Sequence, residues 1–128
     1  MLSQWEDKNR LPQYAALKED MQTEVLVIGG GMTGILCAHF LREAGVGCAL
    51  VEAGRICQGT TGHTTAKITA QHGLIYDKLI SSWGEELADM YLRANCQAVE
   101  KYRELCERID CGFENQDNYV YSKNAQRK

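Results

Sequence analysis

The chain has 128 residues, 45% of them hydrophobic and 24% charged, the make-up of one ordinary globular domain. Its formal net charge of −3 leaves no basic footprint for a nucleic acid or an anionic membrane surface. No apolar run approaches the roughly 18 residues a membrane helix needs, and residues 1–22 lack a signal-peptide pattern, so the expected address is the cytoplasm.

Residues 1–22 are mixed and polar, with Trp5, Leu11, Tyr14 and Leu17 as isolated apolar anchors around the single proline, Pro12. They read as an N-terminal arm lying on a surface. "EVLVIG" (24–29) is a continuous aliphatic run of strand length, the pattern of a parallel strand buried in mid-sheet. From Met32 to Ala44, Met32, Ile35, Leu36, Phe40 and Leu41 recur at helical spacing, and Gly45 stands where a helix C-terminal glycine belongs. "CALVE" (48–52) is a second apolar strand ending on an acid. Strand, helix and strand in this order form a βαβ unit with parallel strands and a right-handed crossover.

Residues 53–73, "AGRICQGTTGHTTAKITAQHG", are rich in glycine and threonine and lack periodicity until "AKITA". A loop this long inside a domain usually serves a function. Further on, Trp83, Leu87, Met90, Tyr91, Ala94, Ala98, Tyr102, Leu105 and Ile109 recur at spacings of three and four, so 84–109 reads as one long amphipathic helix. "CGFENQDNYVYS" (111–122) reads as two short strands around a polar turn at 116–118. The fold class expected is α/β, an incomplete Rossmann-type parallel sheet of the FAD/NAD(P)-binding kind, with a long helix in the C-terminal half. The arm takes residues 1–22 and the nucleotide-binding domain 23–128.

The six cysteines, Cys37, Cys48, Cys57, Cys96, Cys106 and Cys111, show no CxxC and no paired Cys/His spacing, and His39, His63 and His72 share no ligand spacing. Reduced thiols are expected, and no metal.

The chemistry lies at the first glycines. Gly29, Gly31 and Gly34 satisfy GxGxxG at the end of the first strand and the start of the helix, and Glu52 lies 18 residues beyond Gly34, at the end of the second strand. In a dinucleotide site Gly29 permits the tight turn. Gly31 admits the pyrophosphate to backbone N–H groups, and Gly34 lets the helix press on the sheet. The helix N-terminus, at Met32 and Thr33, offers unpaired N–H groups and the positive dipole end to the diphosphate. Glu52 accepts from the ribose hydroxyls and repels a 2′-phosphate, which disfavours NADP. NAD and FAD both stay open. FAD is favoured by the position of the motif and by the hydroxyls of Thr60, Thr61, Thr64 and Thr65. A Walker-type loop is excluded because no Lys-Ser or Lys-Thr follows the glycines. The bland alternative is a βαβ turn using its glycines for conformation alone. Gly30 has no assigned task in either reading.

The run from "VLVIGGGMTG" through "GTTGHTTAKITAQHG" resembles the N-terminal FAD-binding region of the D-amino-acid oxidase superfamily of flavoproteins, which includes glycine and sarcosine oxidases. The threonine-rich stretch, with "LPQYAALKED" and "FENQDNYVYS", is most similar to bacterial members carrying a C-terminal Rieske iron-sulfur domain. The resemblance implies an oxidoreductase in which FAD takes a hydride equivalent from an amine or amino-acid-like donor. It implies that Gly29, Gly31 and Gly34 meet the diphosphate and Glu52 the ribose. Ala53 and Arg55 then lie beside the adenosine, and Thr60 to Thr65 run toward the flavin. His63 is open between ordering the loop, approaching the isoalloxazine and covalent attachment.

Members of that superfamily are several times longer and close the flavin site with a substrate domain; no Cys-x-His pair for a Rieske cluster occurs here. The expectation is therefore a fragment holding the adenine and diphosphate half, with no catalytic residue assigned and a partner chain as one source of the missing domain. Two rivals stand beside the flavoenzyme: a catalytically silent dinucleotide-binding module, and an NAD-dependent dehydrogenase fragment. A sheet lacking its later strands is also expected to expose edges and apolar faces.

Overall fold

In the computed structural model, which describes residues 11–121, the aliphatic run after Glu24 forms a four-residue strand, β1 (Val25–Ile28). Three glycines follow, and then helix α1 (Met32–Glu43) and strand β2 (Cys48–Val51). The strands are parallel, with Val25 opposite Cys48 and Ile28 opposite Val51. The ladder is extended at both ends, Val25 N–H donating to Gly47 O at 3.1 Å and Gly29 N–H to Val51 O at 2.8 Å. Gly45 ends α1 by closing a Schellman turn, its N–H bonding Arg42 O at 3.0 Å while Val46 N–H bonds Leu41 O at 2.9 Å. The βαβ unit thus follows the expected boundaries to within a residue.

The position of β1 differs from the expectation. Among the described residues its one strand neighbour is β2, so it is an edge strand rather than a mid-sheet one. Leu26 is 52% exposed and Ile28 81%. An unbroken aliphatic run is suited to burial on both faces, and here the face of Leu26 and Ile28 is exposed. Residues 11–22 carry no regular structure, and Tyr14 and Leu17 are exposed rather than anchored. Trp5 and the polar "KNAQRK" tail lie outside the described residues.

The chain divides into two compact units between Thr65 and Ala66. The first holds the βαβ unit and a 3₁₀ turn, Thr60–His63. The second is built on two helices, α2 (Ile75–Trp83) and α3 (Glu85–Cys106), broken at Gly84. The single long helix expected over 84–109 is present as α3, which ends three residues sooner, and α2 is added in a stretch that showed no element. Ile75, Leu79, Ile80 and Trp83 supply its apolar spacing.

The core of the second unit is small: among the described residues, Leu79 of α2 and Ala88 of α3 are the buried apolar ones. Tyr76 and Tyr91 meet edge to face at 6.1 Å. The inward face of α3 runs through Ala88, Tyr91, Asn95, Val99, Tyr102 and Cys106, whereas Leu87 and Met90 of the expected stripe are at least half exposed. A crossing close enough to bury Ala88 favours the small residue, so hydrophobicity alone pointed to the wrong part of the helix surface.

Residues 111–121 form no strand. Among the described residues no neighbouring strand is available in this unit, and an unpaired extended segment has nothing to satisfy its backbone. A side-chain knot holds it: Lys67 Nζ donates to Asn118 Oδ1 at 2.8 Å, and Asn118 Nδ2 donates to Thr69 Oγ1 at 3.0 Å and Gln71 Oε1 at 3.1 Å. Among the described residues no helix is long and apolar enough to cross a membrane, and no group of three His, Cys, Asp or Glu is placed to hold a metal.

Candidate dinucleotide site

The glycine turn is shaped by three separate constraints. Gly29 has φ +106°, a conformation that side-chain-bearing residues rarely adopt. Gly34 lies so close to the turn that a Cβ on it would stand 1.9 Å from Gly29 O. Gly30, left without a task by the sequence, is the buried one: a Cβ there would meet Ile56 Cγ2 at 2.8 Å and Glu52 Cβ at 3.1 Å. Its backbone is also bonded on both sides. The N–H donates to Glu52 Oε2 at 2.7 Å, and the carbonyl accepts from Cys57 N–H at 2.8 Å. Gly30 is thus where the segment after β2 is fastened to the turn after β1.

Glu52 has a second anchor, Gly54 N–H, which donates to Oε1 at 2.9 Å. The N–H groups of Gly30, then Gly54, with a smaller part from Ala53, hold its carboxyl below the ordinary 4.5, against a weaker opposing effect of desolvation. The carboxylate is fixed in ionised form at the end of β2. Each oxygen keeps lone-pair capacity for a hydroxyl donor.

At the N-terminus of α1 the first helical bond is Ile35 N–H to Gly31 O at 3.0 Å. The N–H groups before it have no partner in the helix. Thr61 Oγ1 accepts from Met32 N–H at 3.0 Å, so the threonine loop caps the helix. Among the described residues the N–H groups of Gly31, Thr33 and Gly34 find no acceptor. Three unpartnered donors at a solvent-facing helix N-terminus, two of them on glycine, fit a diphosphate group.

The structure therefore brings Gly29, Gly31, Met32, Thr33, Gly34, Glu52, Ala53 and Thr61 to one place. The other candidates are not tied into it. The side chains of Arg55, Thr60 and Thr65 make no polar contact among the described residues. Thr64 follows the 3₁₀ turn as its C-terminal cap. His63 Nδ1 lies 2.8 Å from Gly59 O, and because a carbonyl only accepts, Nδ1 carries the proton and the ring orders its own loop. Gly30, Ile56 and Cys57 were missing from the sequence reading. The one signal for them was a third consecutive glycine that GxGxxG does not require.

Comparison with known proteins bears on which dinucleotide this is. The model of the DAO family, described as FAD dependent oxidoreductase, matches residues 24–128. A Bacillus subtilis (strain 168) protein named as a Rieske 2Fe-2S iron-sulfur protein, YhfW, is 42% identical over 122 residues, covering 94% of this chain and 24% of the relative. The gamma-glutamylputrescine oxidoreductase of Escherichia coli (strain K12) is 31% identical over 107 residues, 82% of this chain and 25% of the relative. The thiamine thiazole synthase of Methanoculleus marisnigri is 48% identical over 40 residues, 31% of this chain and 16% of that protein. The chain spans about a quarter of the length of the first two relatives. No solved structure matches it. The resemblance carried by the glycine turn and threonine loop is thus confirmed, FAD rather than NAD is the cofactor, and the chain belongs to the DAO family of FAD-dependent oxidoreductases.

Proposed function

We propose that residues 23–65 hold the adenosine diphosphate half of FAD for an oxidoreductase acting on an amine or amino-acid-like donor. The observation that carries this reading is the glycine turn itself: the N–H groups of Gly31, Thr33 and Gly34 are left without acceptors among the described residues, and the carboxylate of Glu52 is fixed beside them by backbone bonds from Gly30 and Gly54. In this reading those N–H groups bind the diphosphate, assisted by the dipole of α1. Glu52 accepts from the ribose hydroxyls, and Ala53 and Arg55 flank the adenosine. Thr60 to Thr65 extend toward the flavin, with Thr61 keeping the helix end and the loop in register. When bound, FAD supplies the two-electron chemistry, and the protein orients donor against ring. The donor class is supported by the name of the Escherichia coli relative, whose substrate carries an amine.

A second reading, that this chain binds the dinucleotide without turning over a donor, is favoured by the exposed apolar face of β1 at Leu26 and Ile28, which a fuller sheet buries. One experiment separates the two. The purified chain is titrated with FAD and with NADH, then mixed anaerobically with small amines. FAD binding with amine-dependent bleaching supports the enzyme, and FAD binding without bleaching supports the module. Binding of NADH but not FAD, or an affinity for FAD unchanged by Glu52→Ala, refutes the assigned site.

A further inference from the structure

Beyond the nucleotide site, the second unit carries an open cleft of about 1090 Å³ whose lip is formed where α3 ends. Two cysteines lie on that lip. Cys106 is the last residue of α3 and is half-buried, and Cys111 is exposed. The chain between them folds back tightly, with Arg108 N–H on Leu105 O and Ile109 N–H on Cys106 O, both at 3.3 Å. This reversal sets Cys111 Sγ 4.0 Å from the Cys106 carbonyl oxygen. Burial, with the neighbouring Cys111 side chain adding to it, pushes the Cys106 thiol up.

We propose that Cys106 and Cys111 form a redox-responsive dithiol that closes to an intramolecular disulfide when the protein meets hydrogen peroxide. Cys111, the exposed partner, reacts first. Its sulfur attacks one peroxide oxygen, an S–O bond forms, the O–O bond breaks, and the departing oxygen leaves as water with the thiol proton. Cys106 sulfur then attacks Cys111 sulfur; the S–S bond forms, the S–O bond breaks, and a second water leaves with the Cys106 proton. Two thiols lose two electrons and one peroxide becomes two waters. The covalent tie fixes the turn at 107–110 and the start of the segment that Asn118 knots to Lys67, Thr69 and Gln71. Oxidation thereby locks one wall of the cleft. The inference is independent of the FAD site, since both cysteines belong to the second unit.

Trypsin makes the test direct, because Arg108 lies between the two cysteines. The full chain is exposed to hydrogen peroxide, alkylated, digested and analysed by mass spectrometry. The expected product is peptide 104–108 joined to peptide 109–123, lighter by two hydrogens than their sum and separated by dithiothreitol. It forms at least about tenfold faster than any link involving Cys37, Cys48, Cys57 or Cys96, because the turn already holds Cys111 Sγ against the backbone of Cys106. Cys111→Ser, at an exposed position, abolishes it, and Cys96→Ser leaves it. Sulfinic acid accumulating at Cys111 while Cys106 remains alkylatable overturns the proposal, as does a random distribution of links among the six cysteines.

Discussion

Gly30→Ala tests the packing of the turn without disturbing its backbone conformation. A Cβ at this position stands 2.8 Å from Ile56 Cγ2, against 3.4 Å at the near edge of ordinary contact, so a wall must retreat by about 0.6 Å. Neither wall is free to do so. Glu52 is held by the N–H groups of Gly30 and Gly54, and Cys57, next to Ile56, donates to the Gly30 carbonyl. Overpacking at a site that cannot relax costs about 1–3 kcal/mol, which converts to roughly fivefold to 150-fold in an equilibrium constant. Two readouts are informative. Hydrogen exchange of the segment from Glu24 to Met32 should accelerate in the variant, and FAD titrations should show affinity weakened within that range. A variant that exchanges like the wild type and binds FAD within about twofold of it would show that the contact between Gly30 and the 52–57 segment does not organise the site.

Thr61→Val removes the acceptor for Met32 N–H while keeping the side-chain shape; by analogy with helix caps it should cost about 1 kcal/mol, read as a lower thermal midpoint of the first unit, and an unchanged midpoint contradicts the capping role. Glu52 titrates below the ordinary 4.5, so its stabilising contribution is full above that value and is lost as pH falls through the lower folded value. Wild type should accordingly lead Glu52→Gln in thermal stability near neutrality and lose that lead in acid below 4.5; a lead that persists there argues against the carboxylate. Leu79→Ala empties one of the two buried apolar positions among the described residues of the second unit. In so shallow a core the cost should fall near the lower end of the known range, about 2 kcal/mol, measured by urea unfolding with Trp83 emission as reporter, and a loss below about 0.5 kcal/mol would mean that α2 and α3 do not depend on this contact.

The βαβ unit was legible because each of its parts has a local chemical reason. An aliphatic run makes β1, glycine at position 45 closes α1, and an acid ends β2. The candidate site was legible to the same extent: GxGxxG and Glu52 stand at the spacing that a dinucleotide site requires. The remainder depended on contacts between distant residues. Gly30 meets Ile56 through tertiary packing, and nothing in "IGGGM" shows which glycine will be buried. Four nearby threonines are equivalent on paper until the fold places Thr61 Oγ1 on Met32 N–H. In the second unit α2 is short and follows a glycine- and threonine-rich tract without helical spacing, which hid its period. Leu87 and Met90 outweigh Ala88 in hydrophobicity, but the close approach of two helices selects the smaller side chain. "FENQDNYVYS" has strand-forming residues, yet strands are made by partners, and Asn118 ties the segment by its side chain instead.

The three bonds that join the glycine turn to distant parts of the chain, Gly30 to Glu52, Cys57 to Gly30 and Met32 to Thr61, have a kinetic consequence. With the donors proposed for the diphosphate already fixed by contacts internal to the protein, there is no slow ordering step for an arriving dinucleotide to wait on. Observed association rates should then rise linearly with FAD concentration and show no plateau. Cutting any one of the three ties should introduce saturation, the signature of a loop that must first find its place.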